Sequence, residues 1–474
     1  MTPAPISKVQ HAKLGLLVLA TVLLAVFLLT RESYGTLYFS VGVDRAPPWP
    51  LLAVLLVIYL PFLLAQIARD RLALPLTLTV PLLMLSMFLA QLASSSLHYG
   101  YFDQFNDIQL TVENPDATSY MQDALAIHQQ DLSLRQLLST YPQRMAHFQL
   151  HSREKPPGPI LYYLLLINIF GPVHRASILG GILVGALSTL TLPAVCWLVR
   201  ALTHSRAAAF YAASFLALTP SVIVLLPHMD LTYGIFTGTF LAAWVMSLRT
   251  ARWSWSIACG IALAAMCFAA YNMLVLGAFV VLYAIVHVWQ QPRGWITIAR
   301  QAVIVLVVCA LIYFILYVIT GFNPAATFRA ALDEQSKMAL NWNRPWPQTI
   351  PSDLIEFAFG AGGLAVLLTF FALASRWPDS HRTLVPILWL CVAQPVIVAL
   401  TGLLRVETSR VWIFMLPLLA VPVGLELSRW PRAHRAMAFA CMWIIVAILS
   451  QTTPRPCSMP QLQQSSQGPA VAAS

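Results

Sequence analysis

The chain has 474 residues, of which 59% are hydrophobic and 10% charged, and its mean hydropathy is +0.73. A soluble domain carries about 45–50% apolar and about 25% charged residues, so soluble classes are excluded. Collagen-like, disordered and disulfide-scaffold compositions are excluded with them. Runs such as Leu14 to Thr30 and Leu72 to Ser95 contain no ionisable group, and each is long enough to cross a hydrocarbon core of about 30 Å. A transmembrane β-barrel would instead alternate in segments of about 10 residues. The expected class is an all-α polytopic membrane protein.

In chain order, Lys8 and Lys13 precede an apolar run too long for a signal-peptide core, and no A-x-A site follows, so the run is expected to remain as a first span. The further apolar spans are placed at 50–67, 72–95, 176–199, 207–227, 231–248, 254–271, 273–290, 301–320, 355–375, 384–404, 411–428 and 433–450, which with 14–30 makes about thirteen helices. With the N-terminus inside, this arrangement puts Lys8, Lys13, Arg69, Arg71, Arg200, Arg206, Arg249, Arg252, Arg293, Arg300, Arg376, Arg382, Arg429, Arg432 and Arg435 in the cytoplasm. Only Arg31, Arg45, Arg405 and Arg410 fall in short outer loops, a strong positive-inside pattern. The net charge of +10 is therefore read as a topology signal, with no nucleic-acid partner. Ile160 to Phe170 would break the parity if it crossed, and is read as a short interfacial or re-entrant helix on the outer face.

The resulting organisation is 1–95 as N-terminal membrane helices, 96–157 as an extracytoplasmic loop with juxtamembrane helices, 158–320 as a central bundle, 321–352 as a second outer loop, 353–450 as C-terminal membrane helices and 451–474 as a tail. Six of the seven cysteines lie in apolar runs, and there is no CxxC or Cys/His spacing suited to zinc. Apart from His434 and Arg435 at the start of the last span, the spans hold ionisable groups only near their ends, at His287, Glu356 and Glu426, which disfavours an ion-coupled transporter.

Chemistry-bearing residues concentrate in the first outer loop. From Ala117 to Gln130 the pattern suggests an amphipathic helix with Tyr120, Ala124 and Ile127 on one stripe and Ser119 with Gln122 as a capping box. Leu134, Leu137 and Leu138 suggest a second. Asp116 precedes the first, where the helix dipole favours the ionised form; an ordinary cap or solvated loop acid is the competing reading. Asp103 and Asp107 are read as a solvated i,i+4 pair. The stretch His151-Ser-Arg-Glu-Lys-Pro-Pro-Gly-Pro159 is a cationic turn stiffened by proline, so His151, Arg153 and Lys155 are candidate ligands for a phosphate, with headgroup snorkelling as the alternative. His228 and Asp230 sit at the outer end of a span, where Asp230 is either a site acid or a helix cap. In Arg405-Val-Glu-Thr-Ser-Arg410, the arginines would clamp phosphate bidentately or simply anchor the interface, with Glu407 between them.

In order and spacing these motifs resemble the GT-C membrane glycosyltransferases, in particular the protein O-mannosyltransferase and aminoarabinose-transferase branch. Glu113-Asn-Pro-Asp-Ala-Thr-Ser-Tyr120 resembles that family's P-D-E-x-x-Y stretch, Glu154-Lys-Pro-Pro157 its E-K-P-P, Asp230 its second loop acid, and Ser409-Arg-Val-Trp-Ile-Phe-Met-Leu-Pro417 its late R-Y-x-x-x-x-x-P span. The resemblance implies a GT-C-like bundle and transfer of a sugar, with inversion, from a polyprenyl-phosphate donor to a lipid, glycan or protein hydroxyl outside the cytoplasmic membrane. It makes Asp116 the catalytic base, Lys155 a donor-phosphate ligand and Asp230 a secondary site acid. No cofactor is assigned. A divalent cation stays open but is weakened by Ala117, which stands where the family has a second acid. Gly158 departs from the pattern too, taking the place of a bulky apolar residue. A lipid-linked oligosaccharide polymerase or ligase is the competing enzyme, and it would lean on arginine and histidine more than on Asp116.

Overall fold

In a computed structural model of the chain, residues 8–30, 33–35, 40–42, 48–98, 101–102, 106–115, 117–171, 173–290, 294–341, 345–377, 383–405 and 407–452 are described. Among them the architecture is helical, with two short antiparallel ribbons, Ser33–Gly35 with Ser40–Gly42 and Leu97–His98 with Tyr101–Phe102, as the only strands. Eight helices are long and apolar enough to cross a membrane: Lys8–Thr30, Leu52–Asp70, Leu76–Ser95, Val173–Thr203, Met229–Thr250, Tyr271–Gln290, Gly294–Thr320 and Arg432–Ser450. Helix Gly294–Thr320 turns Leu306, Phe314 and Ile319 outward, as a lipid-facing span does. The chain is thus an integral polytopic membrane protein.

Five of the expected continuous spans are shorter or interrupted. Trp253–Ala269, Val385–Thr401 and Ile413–Ser428 are apolar helices of less than spanning length by themselves. The run expected at 207–227 divides into Arg206–Leu216 and Pro220–Val224, because proline lacks the N–H that would continue the first helix and keeps Thr219 extended. The run expected at 355–375 is Ile350–Gly360 and Leu364–Ala374, bent by 98°. Gly362 and Gly363 adopt φ of +91° and +67° at that break, a conformation glycine tolerates and a helix does not. Counting the bent pair as one gives up to nine spans among the described residues. The thirteen-crossing arrangement places Cys457, which lies outside the described residues, on the outer face. An impermeant maleimide is therefore expected to label Cys457 in intact cells, and labelling only after permeabilisation would contradict that count.

The charged groups at one end of the bundle are matched to one another. Lys13 Nζ reaches Glu426 Oε1 at 2.5 Å and Ser375 Oγ at 2.9 Å, and Trp430 Nε1 donates to Glu426 Oε1 at 2.9 Å. Arg435 pairs with Asp70 at 2.9 Å. Glu426 thereby joins three helices as a satisfied ion pair, which accounts for one of the few span acids without an ion pathway.

The described residues of the segment expected as the first outer loop form helices Asn106–Glu113, Tyr120–Gln129, Leu134–Ser139 and Tyr141–Arg144. Tyr120, Ala124 and Ile127 are buried as the stripe requires. The capping box is not at Ser119 and Gln122, however. Ser119 takes φ of +64°, its hydroxyl donates to Pro115 O at 2.5 Å, and Gln122 Nε2 donates to Glu113 O. The box forms one helix later, where Ser133 and Gln136 satisfy each other's backbone N–H. Asp107 is buried in the first turn of its helix, which corrects its reading as a solvated acid. Residues 321–352, read as a loop, contain the helix Pro324–Asn341. Asn323 Oδ1 accepts from Ala326 N at 3.0 Å ahead of Pro324, a cap followed by proline at the first helical position.

The apolar stretch after the proline turn is the helix Gly158–Phe170, which begins against the end of Trp253–Ala269. A Cβ on Gly158 would lie 2.4 Å from Phe268 O. That approach explains the departure from the bulky residue of the resembling family. Gly158→Val is expected to lower the thermal midpoint of the detergent-solubilised protein, with a loss of about 1–3 kcal/mol or more; an unchanged midpoint would mean the two helices are not in contact.

Candidate functional site

The proline turn is tied to the preceding loop helices from several directions. Lys155 N donates to Ser152 O at 3.2 Å and Tyr141 OH donates to Lys155 O at 3.2 Å, so the turn is held on both sides of its lysine. Lys155 is only 9% exposed, unusual for a lysine, and its Nζ lies 3.3 Å from Glu154 Oε1. Arg153 Nε donates to Phe148 O at 2.5 Å and so turns back on its own loop. His151 N donates to Ser119 Oγ at 3.1 Å, which joins the proline turn to the 113–120 segment. Buried Asp123 accepts both contacts from Gln149 N, at 3.1 and 3.2 Å, and its pKa is raised, by burial before any other cause.

A second group of residues comes from three distant segments. Arg410 NH2 lies 2.5 Å from Glu407 Oε2, its Nε lies 4.0 Å from Asp230 Oδ2, and its NH1 donates to Ala117 O at 3.3 Å. Burial alone would lower the Arg410 pKa, but the Glu407 and Asp230 carboxylates more than offset it and the net direction is upward. Arg410 is therefore a cation held between two anions, where the sequence suggested a phosphate clamp shared with Arg405. Arg405 Nε donates to Gly402 O at 2.6 Å. Asp230 lies in the first turn of a short 3-10 helix whose N-cap is His228, and it is not the cap. His228 is buried and its pKa is pushed down to about 4, first by burial and then by Arg410. Its Nδ1 sits 2.8 Å from Leu225 O; a carbonyl only accepts, so the neutral ring donates from Nδ1 and keeps its lone pair on Nε2.

Tyr120 joins the two groups. Its pKa is raised by burial first and by the nearby Asp230 carboxylate next, with Glu154 also acting on it. Asp116 and Asp103 lie outside the described residues. Both neighbours of Asp116 are engaged, however: Pro115 O accepts from Ser119 and Ala117 O accepts from Arg410. Of the expected site residues, Asp230, Glu407 and Arg410 meet directly, His228 lies beside them, and His151 and Lys155 belong to the adjoining turn. Glu154, Tyr120, Tyr163 and Tyr233 were not singled out as site residues. The tyrosines look like core aromatics at helical spacing, so only their hydroxyls mark them.

Those hydroxyls matter because several buried polar atoms here have no hydrogen-bond partner among the described residues: Arg410 Nε, Tyr163 OH and Tyr233 OH. Each such atom costs about 1–3 kcal/mol if left unmet. Donors and acceptors gathered around a cation suit a ligand rich in hydroxyls and bearing a phosphate. Among the described residues, no group of three or more His, Cys, Asp or Glu side chains is placed to hold a metal ion.

No protein-family model matches the sequence, and no curated protein matches it. Among solved structures, the crystal structure of ArnT from Cupriavidus metallidurans in the apo state is similar at 14% identity, covering 67% of this chain and 72% of that one, with a TM-score of 0.43. A likeness of that size carries no argument about activity.

Proposed function

We propose that the protein is a membrane glycosyltransferase of the GT-C type that takes a sugar from a polyprenyl-phosphate donor and passes it, with inversion, to a hydroxyl of a lipid, glycan or protein on the extracytoplasmic side of the cytoplasmic membrane. Residues 96–157 would form its catalytic loop between the N-terminal and central membrane helices. The observation that carries the reading is the meeting of the 117–120 segment, Asp230 and Arg410, which the sequence resemblance singles out separately and which lie more than 100 residues apart.

The chemistry needs little more than these residues. Asp116 accepts the proton of the acceptor hydroxyl as that oxygen bonds to the anomeric carbon, and the bond to phosphate breaks with its electron pair going to the phosphate oxygen. Lys155 neutralises the phosphate as charge gathers there. Arg410, anchored by Glu407 and Asp230, offers its remaining N–H to the donor, and the buried tyrosine hydroxyls receive the hydroxyls of the sugar. His228, uncharged through the physiological range, adds a hydrogen-bond acceptor without adding charge. His151 and Arg153 fix the shape of the lysine turn.

Lys155→Ala is expected to weaken binding of a polyprenyl phosphate to the purified protein by about tenfold or more, the worth of a hydrogen bond to a charged group. Lys155→Arg is expected to restore part of it, since the charge remains but the geometry changes. Unchanged affinity in Lys155→Ala would remove Lys155 from the donor site.

A further inference from the structure

One buried acid lies outside the cluster but contacts the turn that carries Arg410. Glu356 lies in Ile350–Gly360, the first half of the bent helix pair, and is 5% exposed. Its Oε2 accepts from Thr408 N at 3.1 Å, and Thr408 Oγ1 donates to Asp353 O at 2.5 Å, one turn earlier on the same helix. Gly360 closes the contact, since a Cβ there would come within 2.9 Å of Ser409 Cα. On the following turn the Phe357 and Trp412 rings sit 5.6 Å apart, and Trp412 Nε1 donates to Leu404 O at 3.1 Å. Within this brace Glu407 takes φ of +54°, a left-handed conformation that a non-glycine residue keeps only when its surroundings impose it. Arg410 follows three residues later and reaches Glu407, Asp230 and Ala117 O.

We propose that Glu356 is a positioning residue: by holding the Thr408 amide from within the bent helix pair, it sets the 407–410 turn so that Arg410 is presented to Asp230 and the outer loop. Burying a carboxylate in a membrane helix is unfavourable, and the Thr408 amide, at the start of a turn that no longer helix supports, is a donor able to offset it. The first half of the bent pair is thus the element that meets the 407–410 turn, through Glu356 and Gly360. The proposal rests on the glycosyltransferase reading for its effect on transfer, and on geometry alone for its effect on the turn.

Two measurements separate these. Hydrogen exchange of peptides covering residues 404–413 is compared in wild type, Glu356→Gln, Glu356→Met and Glu356→Ala, the last two serving as alternates if one fails to fold. Glutamine keeps an acceptor oxygen and is expected to preserve protection; methionine and alanine are expected to lose it. Donor transfer is then measured for Glu356→Met, Arg410→Ala and the double variant. Glu356→Met is expected to lose about tenfold or more in transfer, and to add little further loss to Arg410→Ala, because both act through one side chain. Unchanged exchange in both Glu356→Met and Glu356→Ala, or losses that multiply in the double variant, would overturn the proposal. A wild-type protein that transfers no sugar would defeat the glycosyltransferase reading while leaving the exchange result to decide the role of Glu356.

Discussion

Asp116→Asn is expected to bind donor but to transfer sugar slower by roughly two to four orders of magnitude, the usual worth of general-base catalysis. The amide keeps the shape of the carboxylate and removes its ability to take a proton, so binding and chemistry separate. The flanking backbone gives the expectation its physical basis. Pro115 O is fixed by the Ser119 hydroxyl and Ala117 O by Arg410, so the carbonyls on either side of it are held before substrate arrives. Asp107→Asn is the control. That acid is buried in the first turn of Asn106–Glu113, and its loss is expected to lower stability while leaving transfer close to wild type. Near-normal transfer by Asp116→Asn, measured with purified protein and a polyprenyl-phosphate donor, would move the base to another loop acid.

Arg410→Ala is expected to have the largest effect on the integrity of the site. Its guanidinium contacts Glu407 and lies 4.0 Å from Asp230, and the three side chains are 14–20% exposed. Removing the cation takes the shared counter-charge from two carboxylates with little water, which costs about 3 kcal/mol, the low end of the range for breaking a buried pair. The thermal midpoint in detergent should fall and donor binding with it. Arg410→Lys should recover only part of both, because a single ammonium cannot span two carboxylates and a backbone carbonyl as a planar fork does. An Arg410→Ala protein with unaltered midpoint and binding would show that the triad is incidental.

Much of this architecture was legible in the sequence because the membrane imposes it. Runs such as Gly294 to Thr320 have no alternative to a helix in hydrocarbon, and the buried stripe of Tyr120, Ala124 and Ile127 follows from periodicity alone. The proline turn at Lys155 was legible for the same local reason. What escaped was set by contacts over distance. Ser119 carries the residue type of a cap, yet its hydroxyl serves Pro115 and His151, so Tyr120–Gln129 starts without a side-chain cap while Ser133 boxes the next helix. The break at Gly362 and Gly363 is written in the sequence, but hydropathy averages over it. The pairings of Arg410 with Ala117, of Arg410 with Asp230 and of Glu356 with Thr408 join positions 293, 180 and 52 residues apart, and no local pattern encodes them. Asp230 was therefore recognisable as an unusual acid, but its cation was not.

The most direct test of a polyprenyl-phosphate transferase is the mass of the lipid that remains bound when the protein is extracted in mild detergent and purified. The account predicts a polyprenyl phosphate or its glycoside in the wild type, depleted in Lys155→Ala and retained in Asp116→Asn. Phospholipid alone, in the wild type and in both variants, would contradict it.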